Sequence, residues 1–222
     1  MGLIAIVITT YNDSEYLTKT VASCLVQDIE AQIVVVDDCS TKKMSDTTIN
    51  FLYAAGCHVL WHNKNKGLAE ARDTGIRYAN CEYILPLDCM DWLWPHVLSP
   101  MVNAMKDADV VYGNMDEADG QPICMPPGMN GVTREGMLVM NQLWCSSVFR
   151  KSLWERVGGY RNGLHTSYED YFFWNKCLMA GAKFKYLPLL VYRHTPCPNS
   201  MLSKLDKNTD FYNDLARKPL TP

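Results

Sequence analysis

The sequence predicts an α/β fold, a mostly parallel central sheet flanked by helices. Three observations carry that expectation. Short apolar runs rich in Ile and Val, such as residues 3–9 and 33–36, are continuous rather than alternating, as in strands covered on both faces. Between them lie longer stretches whose apolar residues recur at helical spacing, so strands alternate with helices and the crossovers should be right-handed. The apolar runs also stop in polar clusters: Thr9-Thr10-Tyr11-Asn12, Asp37-Asp38, and Asp88. In such sheets the carboxyl ends of the strands are where ligands bind.

Taken in order, residues 3–9 form the first strand. Thr10-Tyr11-Asn12-Asp13-Ser14 is a turn and helix-start signal, and Leu17, Val21 and Leu25 then recur every four residues, giving a helix to about Gln27. Residues 33–36 are a second buried strand. Residues 45–55 form a helix stopped by Gly56. Residues 58–61 are a third, weaker strand, and residues 68–79 a helix despite Gly75 inside it. Residues 83–87 are the fourth strand, 97–105 a helix, and 110–112 a fifth short strand. The pattern changes after Gly113. Residues 116–131, rich in Gly, Pro and Met, read as an irregular loop whose length favours function. Residues 144–149 read as a strand, 151–157 as a short helix ended by Gly158-Gly159, and 169–180 as a helix. Residues 184–192 close the sheet, interrupted by Pro188. From Thr195 onward the chain is polar, with Pro196, Pro198 and Pro219, and is expected to wrap the surface. With no repeat and no linker, residues 1–222 read as a single domain.

Composition removes several function classes. A chain of 222 residues can bury one sizeable core. Its 48% hydrophobic and 20% charged residues are those of an ordinary globular protein. The net charge of -3 leaves no electrostatic footprint for nucleic acid, and no basic block suggests an anionic membrane surface. The nine cysteines are odd in number and form no CxxC pair, which argues against a zinc cluster. Several lie in apolar runs, as reduced core thiols of a cytosolic protein do. The apolar start lacks a basic segment, so it is not read as a signal peptide. No run approaches a transmembrane span. The expected location is cytoplasmic.

The candidate site centres on Leu85-Pro-Leu-Asp-Cys-Met-Asp-Trp92, where Asp88 and Asp91 follow a buried strand. Acidic side chains there suit a divalent cation, and a cation suits the phosphates of a nucleotide. The same two residues would equally cap a turn and a helix. The other polar clusters are Asn65-Lys66-Gly67 leading into Ala71-Arg72-Asp73-Thr74-Gly75, then Gly158-Gly159-Tyr160, Glu169-Asp170-Tyr171 and Tyr192-Arg193-His194. Together with Thr9-Thr10-Tyr11-Asn12 and Asp37-Asp38-Cys39-Ser40, this ordered series resembles the inverting family 2 glycosyltransferases of the GT-A fold, over about residues 3–200. The resemblance implies a Rossmann-like, mostly parallel central sheet flanked by helices. It implies a nucleotide-sugar-binding half at residues 1–112, an acceptor-binding half at 113–200, and a C-terminal tail at 201–222.

Glycosyl transfer needs a nucleotide pocket, neutralisation of a diphosphate leaving group, a base for the acceptor hydroxyl, and exclusion of water. Tyr11 offers an aromatic face for a nucleobase, with Thr9, Thr10 and Asn12 around it. Asp38 is placed to bond uracil or ribose. Lys66 and Arg72 can approach phosphate or orient Asp88, though Arg72 on an amphipathic helix would also suit a solvated charge. Gly67 lets the backbone pass close to the donor. By resemblance Asp170 is the base, among aromatics that should raise its pKa. Trp144 and Trp174 are read as core before sugar platforms. The resemblance implies Mn²⁺ or Mg²⁺ on Asp88, Asp91 and His194. Two departures stand out: Met90 occupies the usual metal-binding position, and Asp73 replaces an Asn. The expected reaction moves a sugar from a nucleotide sugar, most simply a UDP-sugar, to a hydroxyl of a glycan or lipid-linked glycan. A lipid-linked acceptor would bring the protein to the periphery of a membrane. The rival from another class is a degenerate member that binds nucleotide or glycan without turnover.

Overall fold

The computed structural model describes residues 2–117, 123–160 and 168–196. An eight-stranded sheet runs through the molecule. Its strands in chain order are β1 (Gly2–Thr10), β2 (Gln32–Asp37), β3 (His58–Trp61), β4 (Cys81–Asp88), β5 (Trp92–Leu93), β6 (Val110–Asp116), β7 (Val148–Arg150) and β8 (Phe184–Arg193). The spatial order is β3-β2-β1-β4-β7-β6-β8-β5. The first four strands pair in parallel, and so do β6 and β8. β7 runs antiparallel between β4 and β6. The expected α/β architecture with a central sheet is therefore the observed one, parallel on its N-terminal side and mixed beyond it.

The continuous apolar strands follow from cover on both faces. Along β1, Ile4, Ile6 and Ile8 join one buried cluster, while Ala5 and Val7 join the other. This period-two division needs no polar residue because neither face meets water. The helices α1 (Leu17–Leu25), α2 (Asp46–Ala54) and α4 (Leu98–Ala104) contribute to the first cluster. The second lies under α3 (Leu68–Tyr78), α5 (Arg134–Val139), α6 (Lys151–Val157) and α7 (Glu169–Met179).

Local chemistry fixes the helix ends. Ser45 caps α2 by accepting the Thr48 N–H, and Gly56 ends it with φ of +74°, a conformation that side chains beyond Gly resist. The predicted first helix is split: a 3₁₀ turn at Ser14–Tyr16 precedes α1, which stops at Leu25 rather than Gln27. Gly75 inside α3 has a packing reason. A Cβ there would stand 2.4 Å from Val7 Cγ1 and 3.1 Å from Val36 Cγ2, so glycine lets α3 lie close on β1 and β2.

The differences from expectation have local causes. β6 continues past Tyr112 to Asp116. Its register against β8 shifts between Tyr112↔Tyr186 and Asn114↔Leu190. Residues 187–189 therefore bulge opposite Gly113, which accommodates Pro188 without breaking the strand. The predicted strand at residues 144–149 shrinks to β7. The polar pair Ser146-Ser147 instead makes a turn, in which the Ser147 hydroxyl donates to the Trp144 carbonyl at 2.6 Å. Two elements were not anticipated: β5, only two residues long, and α5, which buries only Met137 and so shows no period. The irregular loop keeps an isolated bridge, Met115↔Cys124. Residues 118–122 of that loop, and the predicted surface-wrapping tail from Cys197 onward, lie outside the described residues. The eight described cysteines are free thiols. Among the described residues, no helix is long and apolar enough to cross a membrane.

Candidate active site

The strand ends bring the expected polar clusters together. Thr9 is in register with both Val36 and Asp88, and Thr10 with Asp37. Thr9 and Thr10 are buried, while Tyr11 beyond them is exposed, free to offer its ring. Asn12 has φ of +67°. Its N–H donates to Ser40 Oγ at 2.8 Å, and its Oδ1 accepts the Lys42 N–H at 2.8 Å. Asn12 thus ties the β1 exit to the β2 exit.

Asp38 is more committed than the sequence suggested. Its Oδ1 accepts the Lys66 N–H at 2.8 Å and lies 2.6 Å from His62 Nδ1; its Oδ2 accepts the Gly67 N–H at 2.7 Å. The residue is buried. The carboxylate therefore shapes the loop that opens α3, and Gly67, at φ of +85°, gives that loop its turn. His62 is a partner with no motif of its own in the sequence. Its Nε2 reaches Thr74 Oγ1 at 3.0 Å, locking the brace onto α3. Asp38→Ala should release two backbone N–H groups and weaken UDP by about 1.5–3 kcal/mol through this loop. Equal UDP affinity of variant and wild type by calorimetry would remove Asp38 from the pocket.

Arg72 is no solvated charge. It is 2% exposed, and its two terminal nitrogens divide between carboxylates. One donates to Asp88 Oδ1 at 2.7 Å, the other to Glu169 Oε1 in a short contact. Of its two predicted roles, orienting Asp88 is the one the geometry carries; a guanidinium so enclosed does not approach phosphate. Beside it on α3, Asp73 is also buried. Its Oδ1 accepts from Trp154 Nε1 at 2.7 Å and from the Tyr160 N–H at 2.9 Å. A Cβ on Gly159 would stand 2.7 Å from that same oxygen, and Gly159 has φ of +73°. The Gly-Gly-Tyr motif is thus a backbone cradle for Asp73. It also sets the Tyr160 ring 5.5 Å from the Arg72 guanidinium carbon.

Asp170 stands in the first turn of α7. Phe172, Phe173 and Trp174 on that helix are buried, each contributing about 1.5–3 kcal/mol, so the turn is held firmly. Trp174 is core, as read, and Trp144 packs half-buried against the other cluster. A helix N-terminus favours a carboxylate by about 0.3–1 kcal/mol when exposed. Burial outweighs that here. Desolvation, then the neighbouring Glu169 charge, push the Asp170 pKa up to about 7, against the pull of Arg72. Asn141 Nδ2 donates to Asp170 Oδ2 at 2.9 Å, and the Tyr171 N–H donates to Oδ1 at 2.7 Å. Glu169 is buried and raised by desolvation, with Arg72 opposing. The chain Asp88–Arg72–Glu169 links the end of β4 to the turn that holds Asp170. Asn141 carries no motif in the sequence.

The predicted metal ligands divide. Asp91 is buried; its Oδ1 accepts the Thr195 N–H at 2.9 Å and lies 3.1 Å from His194 Nδ1. Hydrogen bonding to Asp91 raises the His194 pKa despite burial. Asp91 is therefore the brace of His194 and is not open to substitute for a missing ligand. Asp88 keeps 43% side-chain exposure and His194 39%. Met90, at the usual metal-binding position, packs half-buried against the first core cluster. Among the described residues, no three His, Cys, Asp or Glu side chains gather as a metal set. Asp116 holds the strand that carries His194. Burial favours its neutral form, but the Arg193 and Trp94 hydrogen bonds win and lower its pKa. Arg193 Nη2 reaches it at 2.5 Å, and the Asp116 carbonyl accepts the His194 N–H at 2.7 Å.

Known proteins share this fold. The fold is similar to that of Staphylococcus aureus TarS 1–349 in complex with UDP-GlcNAc, with a TM-score of 0.78 at 18% identity, over 97% of this chain and 64% of that one. The sequence is similar to glycosyltransferase GlyG of Streptococcus pneumoniae serotype 4, 34% identical over 125 residues, which is 53% of this chain and 42% of that protein. It is also similar to Escherichia coli chondroitin synthase, 27% identical over 230 residues, 99% of this chain but 33% of that enzyme. The chain thus spans less than half the length of these two relatives. The sequence profile of glycosyl transferase family 2 matches residues 5–173, well over half the chain and every cluster from the β1 exit to Asp170, and the chain belongs to that family.

Proposed function

We propose that this protein transfers a sugar from a nucleotide sugar, most simply a UDP-sugar, to a hydroxyl of a glycan or lipid-linked glycan, with inversion at the anomeric carbon. The observation that carries the reading is Asp170: a desolvated carboxylate with pKa near 7, linked through Glu169 and Arg72 to Asp88 at the nucleotide end of the sheet. Asp170 accepts the proton of the acceptor hydroxyl while that hydroxyl's oxygen attacks the anomeric carbon. The bond from that carbon to the phosphate oxygen breaks on the opposite side, and the nucleoside diphosphate leaves. Tyr11 covers the base, and the Asp38-braced loop at Lys66-Gly67 borders the phosphates. UDP and UDP-GlcNAc complexes of the S. aureus TarS fold support the choice of donor nucleotide.

A divalent cation fits this site in a reduced form. Asp88 and the Nε2 of His194 are a hard oxygen and a nitrogen donor, both partly exposed. Mg²⁺ and Mn²⁺ accept one or two protein ligands when substrate phosphates and water supply the rest. When bound, such an ion would neutralise charge on the departing diphosphate. Asp91 keeps the His194 imidazole oriented for that role.

The test is release of UDP from a panel of UDP-hexoses, with and without EDTA. Slow UDP release from one sugar, abolished by EDTA and restored by Mn²⁺, is the expected result. Full turnover in EDTA would discard the cation and leave Lys66 and His194 to neutralise the diphosphate. Binding of UDP with no release from any donor would favour the rival reading, binding without turnover, to which Met90 at a usual metal position lends weight.

A further inference from the structure

The segment that follows α5 reaches Asp170 in a way the reaction outlined above does not use. Tyr171, the residue after the base, donates its hydroxyl to the Met137 carbonyl in a short contact, fastening α5 to α7. Gln142 then binds the segment from its other side. Its Oε1 accepts the Thr133 N–H at 2.8 Å and its carbonyl accepts the Gly128 N–H at 2.8 Å. A Cβ on Gly136 would fall 2.1 Å from Gln142 Nε2, so α5 folds tightly on that side chain. Between these two anchors sits Asn141, with its Nδ2 2.9 Å from Asp170 Oδ2. Its Oδ1 is buried with no partner. Leaving a buried carbonyl unpartnered is costly, and turning the amide over would not relieve it. The oxygen would then face a carboxylate oxygen, two acceptors in contact.

We infer that Asn141 is a positioning residue for the proposed base, delivered by the α5 segment to hold the ionised Asp170 carboxylate in one orientation. The inference rests on Asp170 being the base. The bond is charge-assisted when Asp170 is ionised. Protonation leaves only a weaker neutral bond, from the amide N–H to the carboxyl's remaining carbonyl oxygen or, with the amide turned, from the carboxyl O–H to Asn141. Asn141 therefore favours the proton-accepting form of a carboxylate that burial opposes. The other groups facing Asp170 are Glu169 on its own helix, Arg72 on α3, and Asp88 at the end of β4. Cys145 before β7, Tyr160 after α6 and Tyr192 on β8 face the same space. Burial raises all three above their usual ranges, so they remain uncharged, and Asn141 is the amide donor among these neighbours.

The test follows the Asp170 carboxyl directly by ¹³C NMR titration, its signal assigned by its loss in Asp170→Asn. Removing a donor to the charged form raises a carboxylate pKa. Asn141→Ala should move the midpoint up by about one unit, and Asn141→Asp, which adds a second carboxylate, should move it further. The acid limb of UDP release from whichever UDP-hexose the panel shows to be turned over should shift by the same amounts in the same order, with the KM for that donor unchanged. A merely structural role would lower activity without this graded movement. Midpoints unmoved in both variants overturn the inference and leave the base assignment standing. Wild-type UDP release by Asp170→Asn would overturn the base assignment instead, whatever the NMR midpoints do.

Discussion

Asp170→Asn should lower sugar transfer by about a hundredfold or more while leaving UDP affinity within about a factor of two. The amide keeps the size and polarity of the carboxylate but cannot take the acceptor's proton. The proposed donor contacts lie elsewhere, at Tyr11, the Lys66-Gly67 loop and Asp88, so binding should hardly register the change. The wild-type rate should rise with pH through about 7, because in the proposed reaction the ionised carboxylate is the active form and its pKa is raised to about 7. The variant's residual rate should lose that limb. Stability should respond in the opposite sense. A folded pKa of about 7 against an ordinary 3.8 means the folded state holds this proton more tightly. The stability that gives is present below about pH 4 and declines as pH rises to about 7. The neutral amide avoids ionising in a desolvated pocket, so at pH 7.5 the variant should melt no lower than wild type. Calorimetric melts beside transfer assays check both halves. A variant that transfers at the wild-type rate ends the base assignment, and one that unfolds at lower temperature contradicts the desolvation argument.

What the sequence made legible was whatever repeats locally. β1, β2 and β4 were readable because both faces are covered, so their central residues, 4–8, 33–36 and 83–87, form unbroken apolar runs. α2 was readable from Ser45 and Gly56, each acting within its own turn. The clusters at strand ends were readable as an ordered series, and the fold duly collects Thr9, Asp38, Arg72, Asp88 and Asp170 around one end of the sheet. What stayed hidden was the division of labour within each cluster, because that depends on partners far along the chain. Asp38 meets His62 across 24 residues, Arg72 meets Glu169 across 97, and Asp91 meets His194 across 103. No local pattern announces such pairs. Asn141 is the extreme case, an amide in an irregular segment whose role comes wholly from the helix it faces. The bulge at Gly113 was likewise invisible, since it exists only where β8 carries Pro188 past it.

Arg72→Met should have the largest effect on stability. The side chain is 2% exposed and pairs with Glu169, itself 3% exposed, and with the partly exposed Asp88. Methionine fills much of the same volume, so the loss is mainly electrostatic. Removing one partner of a buried pair leaves an uncompensated charge and costs about 3–5 kcal/mol. Most of that should come from Glu169, because water can still reach Asp88. For a chain of this size each kcal/mol lowers Tm by about 2–4 °C, so a fall of roughly 6–20 °C is expected. Glu169→Gln on its own should cost less, since Arg72 retains Asp88. The double variant Arg72→Met with Glu169→Gln should recover part of the loss, because a buried ion pair replaced on both sides is often close to neutral. Urea unfolding of wild type, both single variants and the double variant closes the cycle. A coupling of less than about 0.5 kcal/mol would show that Glu169 does not depend on Arg72. UDP affinity supplies the functional half. Even the restabilised double variant should bind UDP more weakly than wild type, because Asp88 loses the guanidinium that orients it. Full UDP affinity in that variant would separate the Arg72 bridge from the donor site and leave it a purely structural link between α3 and α7.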